Sequence, residues 1–382
     1  MSNLKKYNIF TFVTTFAKLL IEVFIPLILY NMNFTIKEII LFLIIKHALC
    51  TIFLPITKLI IKKKSTTFLM IISSILFTLS YIYLNLCYNF FGYTTAAFGI
   101  YLLIFTTLLS MYLTFYWVGR HTYALSIIED KKATDNVSLY TIFTILGGLF
   151  STYIGSILIE KTSYLFLSII VLFLMLISII PLTKIKSKKE TNEIKLITII
   201  TSFPKRNYIF TFLDQLRFVL VTIFPLYIYL NINKSYKYIG IINIVSGLGS
   251  IIYIYILKKL MDKNKRDYLS SSLLYLAITY TLKLLTKNNI IFLIIVFFEG
   301  IFRSVVDLIT LRNTYVYSKN YTRLNYTIFT EGINNIGRVI ILTLFYITNI
   351  SLEKIILICI LGILINIFIK YDDGKYGYNN VK

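Results

Sequence analysis

The sequence predicts an all-α membrane protein of about twelve transmembrane helices, arranged as two six-helix halves that run parallel. Three observations carry this. The first is composition. Of 382 residues, 57% are hydrophobic, and the mean hydropathy is +0.77. A soluble domain cannot bury that much apolar surface, so lipid must be the solvent for much of it. The second is an internal repeat. Ile9-Phe10-Thr11-Phe12 returns as Ile209-Phe210-Thr211-Phe212, and the same offset pairs Asn31 with Asn231, Asn33 with Asn233 and Lys37 with Lys237. Tyr140-Thr141-Ile142-Phe143-Thr144 recurs letter for letter as Tyr326-Thr327-Ile328-Phe329-Thr330. Several matches in the same order outweigh the chance agreement expected in a chain so rich in Ile, Leu, Phe, Asn and Lys. The third is the placement of charge. The net charge is +22, and it sits in short loops between apolar runs, which favours a membrane reading over nucleic-acid binding.

A helix needs roughly 20 residues to cross a bilayer. Apolar runs between polar breaks place the spans at 8–30, 36–57, 66–86, 93–117, 138–159 and 163–183 in the first half. The second half has 207–230, 236–257, 268–286, 289–311, 325–347 and 351–370. The longest polar break, Lys184 to Arg206, carries seven basic residues and a short amphipathic piece from Ile194 to Phe203. It reads as a cytoplasmic linker between a bundle at 1–183 and a second at 207–382. With both termini inside and span-end residues counted with their adjoining loops, 27 Lys/Arg fall in cytoplasmic segments, 7 in external ones and 5 within spans, accounting for all 39. The positive-inside rule expects this asymmetry, and a missed span would cancel it in every later segment. The halves therefore share one orientation. No cleavable signal peptide is read, because the first apolar segment is full length and lacks a small-residue cleavage site.

Two local motifs add to the architecture. After the eighth span comes Lys258-Lys259-Leu260-Met261-Asp262-Lys263-Asn264-Lys265-Arg266. In the fifth span comes Gly147-Gly148-Leu149-Phe150-Ser151-Thr152-Tyr153-Ile154-Gly155-Ser156. Together with twelve spans in two parallel halves and a basic central loop, these resemble the major facilitator superfamily over nearly the whole chain. Asp262, Lys263 and Arg266 match that family's loop motif, with Lys258 where Gly is usual. The first-half counterpart, Lys58 to Lys64, keeps the basic cluster without the acid. Gly147 and Gly155 match the glycine–proline motif of the family's antiporters, while Thr152 replaces the Pro and Ser156 a Gly. The resemblance implies that the first, fourth, seventh and tenth spans line a central cavity. It also implies that Asp262 latches against a neighbouring helix end. A basic loop that only sets orientation, and glycines that only permit close packing, are the bland readings of the same residues.

Ionisable groups at bilayer depth are the strongest functional pointers, since a central charge costs about 2.5–3.5 kcal/mol on insertion scales. Ten are read within spans: Lys18, Glu22, Lys46, Asp214, Arg217, Glu299, Arg303, Asp307, Glu331 and Arg338. Five are basic and five acidic, so pairing is expected. Lys18 and Glu22 are four apart, and Asp214 and Arg217 three apart. Glu299, Arg303 and Asp307 form a ladder in which Arg303 can reach both acids. Lys18 lies roughly 15 Å into its span, near mid-bilayer. Seven of the ten, Lys18, Glu22, Asp214, Arg217, Glu299, Arg303 and Asp307, fall in the first, seventh and tenth spans and are the candidate solute-binding or coupling residues. The fourth span is uncharged until its end, where Trp117, Arg120 and His121 gather. Glu331 and Arg338, with Asn334 and Asn335, read equally well as helix-packing contacts. Lys46 and His47 read as snorkelling or packing residues.

No enzyme signature competes. His47 and His121 have no metal spacing, and Cys50, Cys87 and Cys359 give no disulfide framework. There is no phosphate-binding glycine–lysine loop, so an ion or solute gradient, not ATP, would supply energy. Neither cofactor nor metal is expected. The expectation is a monomeric secondary transporter of a bacterial inner membrane, multi-pass, with both termini cytoplasmic. Its partners would be a small polar, charged or zwitterionic solute, the lipid bilayer and H+ as candidate coupling ion, with no nucleic acid. A non-transporting receptor or scaffold on a degenerate transporter fold stays open beside it. A connected cavity reaching Arg217 and Glu299 favours transport; a filled interior favours the scaffold.

Overall fold

The structure is a computed structural model that describes the backbone of residues 3–91, 95–127, 133–185, 195–263, 268–318, 321–369 and 371; side chains at 87–91, 95–98, 100, 133–138 and 255–263 also lie outside the description. Every element among the described residues is helical. A first broken rod joins α1 (Asn3–Leu19), a 3-10 turn (Glu22–Phe24) and α2 (Ile25–Asn31). It is followed by α3 (Ile36–Lys63), α4 (Thr66–Phe91) and α5 (Thr95–Ile127). A second broken rod, α6 (Ala133–Leu149) with α7 (Ser151–Lys161), leads to α8 (Tyr164–Thr183). A short α9 (Leu196–Ser202) precedes α10 (Lys205–Asn231), α11 (Tyr236–Lys263), α12 (Tyr268–Leu285), α13 (Asn289–Tyr317), α14 (Arg323–Thr348) and α15 (Leu352–Ile367).

Twelve rods thus stand where twelve spans are expected. Ten are long and apolar enough to cross a membrane by length and composition. Of the other two, α15 is short at 16 residues, and α12 dilutes its leucines with three serines and Lys283.

Local chemistry explains the ends. Thr35 and Glu38 cap α3 reciprocally: the Glu38 N–H donates to Thr35 Oγ1 at 3.3 Å, and the Thr35 N–H donates to Glu38 Oε2 at 2.8 Å. Asn288 Oδ1 accepts from the Ile290 and Ile291 N–H groups at 2.9 and 3.2 Å to start α13. Asn349, at φ 48°, ends α14 in the left-handed region. The repeat is structural as well: α2 ends at Asn31 and α10 at Asn231.

Helices approach closely where side chains vanish. A Cβ at Gly155 would overlap the Leu20 carbonyl, and one at Gly300 the Ser246 carbonyl. The Ser250 hydroxyl donates to the Gly300 carbonyl at 2.8 Å. Apolar side chains such as Ile52 and Phe173 point outward, as a lipid-facing surface requires.

Among the described residues the halves meet where α14 packs on α3 and α5, α11 on α6 and α7, α13 on α6, and α10 on α2. Lys6 Nζ donates to the Lys184 carbonyl at 2.6 Å, so α1 begins where α8 ends, at what we term the basic face. At the opposite face Asn31 Nδ2 donates to the Tyr236 hydroxyl, which lies 3.1 Å from the Tyr164 hydroxyl. Glu160 Oε1 accepts from the Lys237 N–H there at 3.1 Å. The amphipathic piece of the linker forms α9. Its Ile199, with the adjoining Phe203, is buried against Tyr317, Tyr326 and Phe329.

Candidate functional site

Between the halves lies a cavity of about 520 Å³. Its walls come mainly from α1, α3, α5 and α6 on one side and α10, α13 and α14 on the other. It runs from Lys18 and Lys46 at mid-height to Leu125, Phe203 and Tyr371 toward the basic face. A second cavity of about 280 Å³ continues toward the opposite face, reaching Pro26, Pro225 and Ile228. Glu22, Leu43, Lys46, Thr222 and Arg303 line both and form the partition. The repeated pentapeptide lines the larger cavity twice, through Tyr140, Thr141 and Thr144 on α6 and Tyr326, Thr327 and Thr330 on α14.

The Lys18–Glu22 pair forms as the spacing predicts, at 3.3 Å, and it straddles the break in the first rod. Pro26 has no N–H to give the Glu22 carbonyl, so the Ile25 N–H bonds it instead and tightens the turn to 3-10. Lys18 Nζ also sits 5.1 Å over the Trp117 ring and 5.6 Å over Tyr116. The ammonium is thus shared between a carboxylate and two aromatic faces.

Arg217 is clamped by two acids. Its Nε and Nη2 donate to the two Asp214 oxygens at 2.7 and 3.1 Å, and its Nη1 donates to Asp307 Oδ1 across the α10–α13 gap. The side chains of Arg217 and Asp214 are 3% and 6% exposed, while Asp307 is 45% exposed on the cavity side. This corrects the ladder expected on one helix. Asp307 pairs with Arg217 on the facing helix, and Arg303 pairs only with Glu299, at 3.5 Å, among the described residues. An arginine fork on the facing helix offers better geometry than a second i,i+4 contact.

Glu299 has a second partner. Lys283 Nζ, on α12, lies 2.7 Å from Glu299 Oε2, and the Tyr280 hydroxyl donates to Oε1 at 3.0 Å. Lys283 also rests 3.8 Å over the Phe224 ring. Lys283 is not among the ten charges read within spans, yet its side chain is 3% exposed inside the bundle. The sequence signal for it is its position in the last turn of the ninth span.

Arg120 is likewise not a loop residue. α5 runs on to Ile127, and Arg120 is 2% exposed. It donates to the Tyr116 hydroxyl at 2.8 Å and Thr144 Oγ1 at 2.9 Å, and its guanidinium lies 4.5 Å over the Tyr140 ring. Its neighbour His121 crosses between the halves: Nδ1 is 2.8 Å from the Tyr315 hydroxyl, and Nε2 is 3.8 Å from Glu331. The Trp117 ring stacks on its imidazole.

On the α3–α14 seam, His47 Nδ1 lies 2.8 Å from Asn335 Oδ1, a packing contact. Lys46 does not snorkel; it lines both cavities. Gln215, which sequence reasoning passed over, ties α10 to α14. Its Nε2 donates to Asn334 Oδ1 at 3.0 Å, and its Oε1 accepts from Arg338 Nε at 2.9 Å. In the fifth-span motif, Thr152 Oγ1 accepts from Asn243 Nδ2 of α11 at 2.8 Å, so the residue in the proline position serves the seam. The side chains of Asp262 and Lys263, and all of Arg266, lie outside the described residues.

A twelve-rod membrane bundle with an ionised cavity at its centre defines the architecture of a carrier. The model of the Major Facilitator Superfamily matches residues 8–341, and the chain belongs to that family. Its fold is similar to the crystal structure of the Major Facilitator Superfamily transporter FucP in the outward conformation, with a TM-score of 0.68 at 12% identity over 97% of this chain and 99% of that one. No curated protein matches the sequence.

Proposed function

We propose that the chain is a secondary active transporter that moves a small polar, charged or zwitterionic solute by alternating access. The observation that carries this is the cavity between the halves, lined by both signs of charge from both sides. The bundles at 1–183 and 207–382 would rock about it, joined by the 184–206 linker. The seam of Asn31, Tyr164 and Tyr236 would close one end, and His121 with Tyr315 would brace the other. Arg217 and Arg303 would meet anionic parts of the solute. Asp214, Glu299 and Asp307 are the groups through which a coupling proton would act. A filled interior would favour a scaffold; the cavity supports transport instead.

The test is uptake into proteoliposomes of whichever solutes raise the melting temperature of the purified protein. Saturable uptake above empty liposomes is the expected result; stabilisation without flux through a correctly inserted protein would sink transport.

Orientation is tested separately. The basic face is proposed to be cytoplasmic, in an inner membrane, because lysines concentrate there. In a background without native cysteines, an impermeant thiol reagent applied to intact cells should label a cysteine replacing Asn288 and spare one replacing Lys195. The reverse pattern would invert the topology.

A further inference from the structure

The charges lining the larger cavity do not balance. Its described lining holds six cations, Lys18, Lys46, Arg120, Arg217, Arg303 and Arg338, against four acids, Glu22, Asp214, Asp307 and Glu331. Glu299 reaches Arg303 from the neighbouring cavity, but it brings buried Lys283 with it, so the excess of two positive charges stands.

That excess can be located. Lys18 has Glu22, Arg217 has Asp214 and Asp307, and Arg303 has Glu299. Arg120 is enclosed by tyrosines and donates to Tyr116 and Thr144. Glu331 lies nearest His121. Two cations remain. The Lys46 ammonium makes no hydrogen bond and no ion pair among the described residues, although the residue lines both cavities. Arg338 gives Nε to neutral Gln215 and lies 4.7 Å over the Phe218 ring; no carboxylate is within 4 Å of it among the described residues. The two stand on facing helices, one residue from His47 and three from Asn335, and the 2.8 Å contact of His47 with Asn335 registers α3 against α14 at that height.

An unpaired cation at bilayer depth is costly, and two on facing helices of one cavity repel each other. Helix packing gains no hydrogen bond from the Lys46 ammonium; the contact of this residue with α5 is through its backbone carbonyl, which accepts from the Ser110 hydroxyl at 2.9 Å. A carboxylate or phosphate placed between them would remove the repulsion and satisfy the free donors.

We propose that Lys46 and Arg338 form an anion subsite, and that the transported solute is a small organic anion whose carboxylate or phosphate is held there between the two halves. This rests on the transporter reading above.

The experiment is a thermal-shift panel on the purified full-length protein at matched ionic strength. The probes are succinate, glycerol 3-phosphate and inorganic phosphate as anions, putrescine and choline as cations, betaine as zwitterion, and glucose as neutral solute. Succinate and the two phosphate probes separate the carboxylate and phosphate sources. Anions alone are expected to raise the melting temperature. Lys46→Met and Arg338→Gln are each expected to weaken half-saturation about ten- to hundred-fold, with Lys46→Arg restoring it. Lys46→Met without added probe should melt no lower than wild type, since it removes an uncompensated charge; a packing lysine would give a lower value. Wild-type anion binding in both variants would overturn the subsite. Stabilisation by cations, betaine or glucose instead would overturn the anion class, and solute counterflow in proteoliposomes would then show whether transport itself survives. A panel flat in every class overturns the proposal, and absent counterflow would take the transporter reading with it.

Discussion

Replacing Arg217 with methionine is expected to abolish solute uptake and to cost about 3–5 kcal/mol of stability, the usual penalty for breaking a buried ion pair by removing one partner. Arg217 is the only cation of the described residues within 4 Å of Asp214 or Asp307, and it holds both. Asp214 is almost fully buried, so it would be left charged with neither water nor a donor to replace the fork. Asp307 already meets the cavity and would suffer less. The asymmetry is the check. Arg217→Met combined with Asp214→Leu should recover most of the lost stability, while Arg217→Met with Asp307→Asn should recover little. Uptake should stay lost in both, because the link between α10 and α13 is gone. Thermal unfolding in detergent and proteoliposome uptake measure the two readouts. Equal rescue by both second substitutions would mean that Arg217 does not discriminate its acids as the geometry says.

Glu299→Gln is expected to be comparably severe, for the opposite reason. It leaves Lys283 buried without a counter-charge and takes the nearest acid from Arg303. A loss of about 3–5 kcal/mol is expected, with most of it returned when Lys283→Met is added. Lys283→Met alone should cost less, since Glu299 keeps Arg303 and the Tyr280 hydroxyl. Arg303→Lys should fold yet impair uptake. It preserves the charge but loses the planar fork, which also donates to Ser246 Oγ at 3.1 Å. Wild-type uptake in Arg303→Lys across a pH series would reduce Arg303 to a structural pair. A Lys283→Met as damaging as Glu299→Gln would show that the lysine, not the acid, organises the cluster.

Much of the fold was legible because lipid makes the sequence speak in long apolar runs. The twelve rods stand near the twelve expected spans, and the linker piece is a helix. What the runs concealed were polar residues continuing a helix past its apolar stretch. The fourth span extends beyond Trp117 because Arg120 finds tyrosine faces and hydroxyls inside the bundle, and no hydropathy window registers a partner on another helix. The site was legible in its members and less so in its pairings. Periodicity reveals neighbours on one helix, so Lys18–Glu22 and Asp214–Arg217 emerged as drawn. Asp307 went to the facing helix, and Lys283, which belongs to the Glu299 cluster, was hidden by its place near a span end. Gln215 carried no charge to attract notice, yet it joins two helices at the cavity wall.

The Lys283–Glu299 contact also bears on how the chain enters the bilayer. Its partners stand on α12 and α13, consecutive helices separated only by residues 286–288. α12 is not among the ten rods long and apolar enough to cross a membrane by length and composition, and Lys283 adds a burden that an isolated helix would carry into lipid alone. The short connection lets the next segment deliver the neutralising carboxylate while both are still leaving the translocation machinery. The two helices are therefore best regarded as one hairpin that partitions together, and truncating the chain between them should leave α12 outside the membrane.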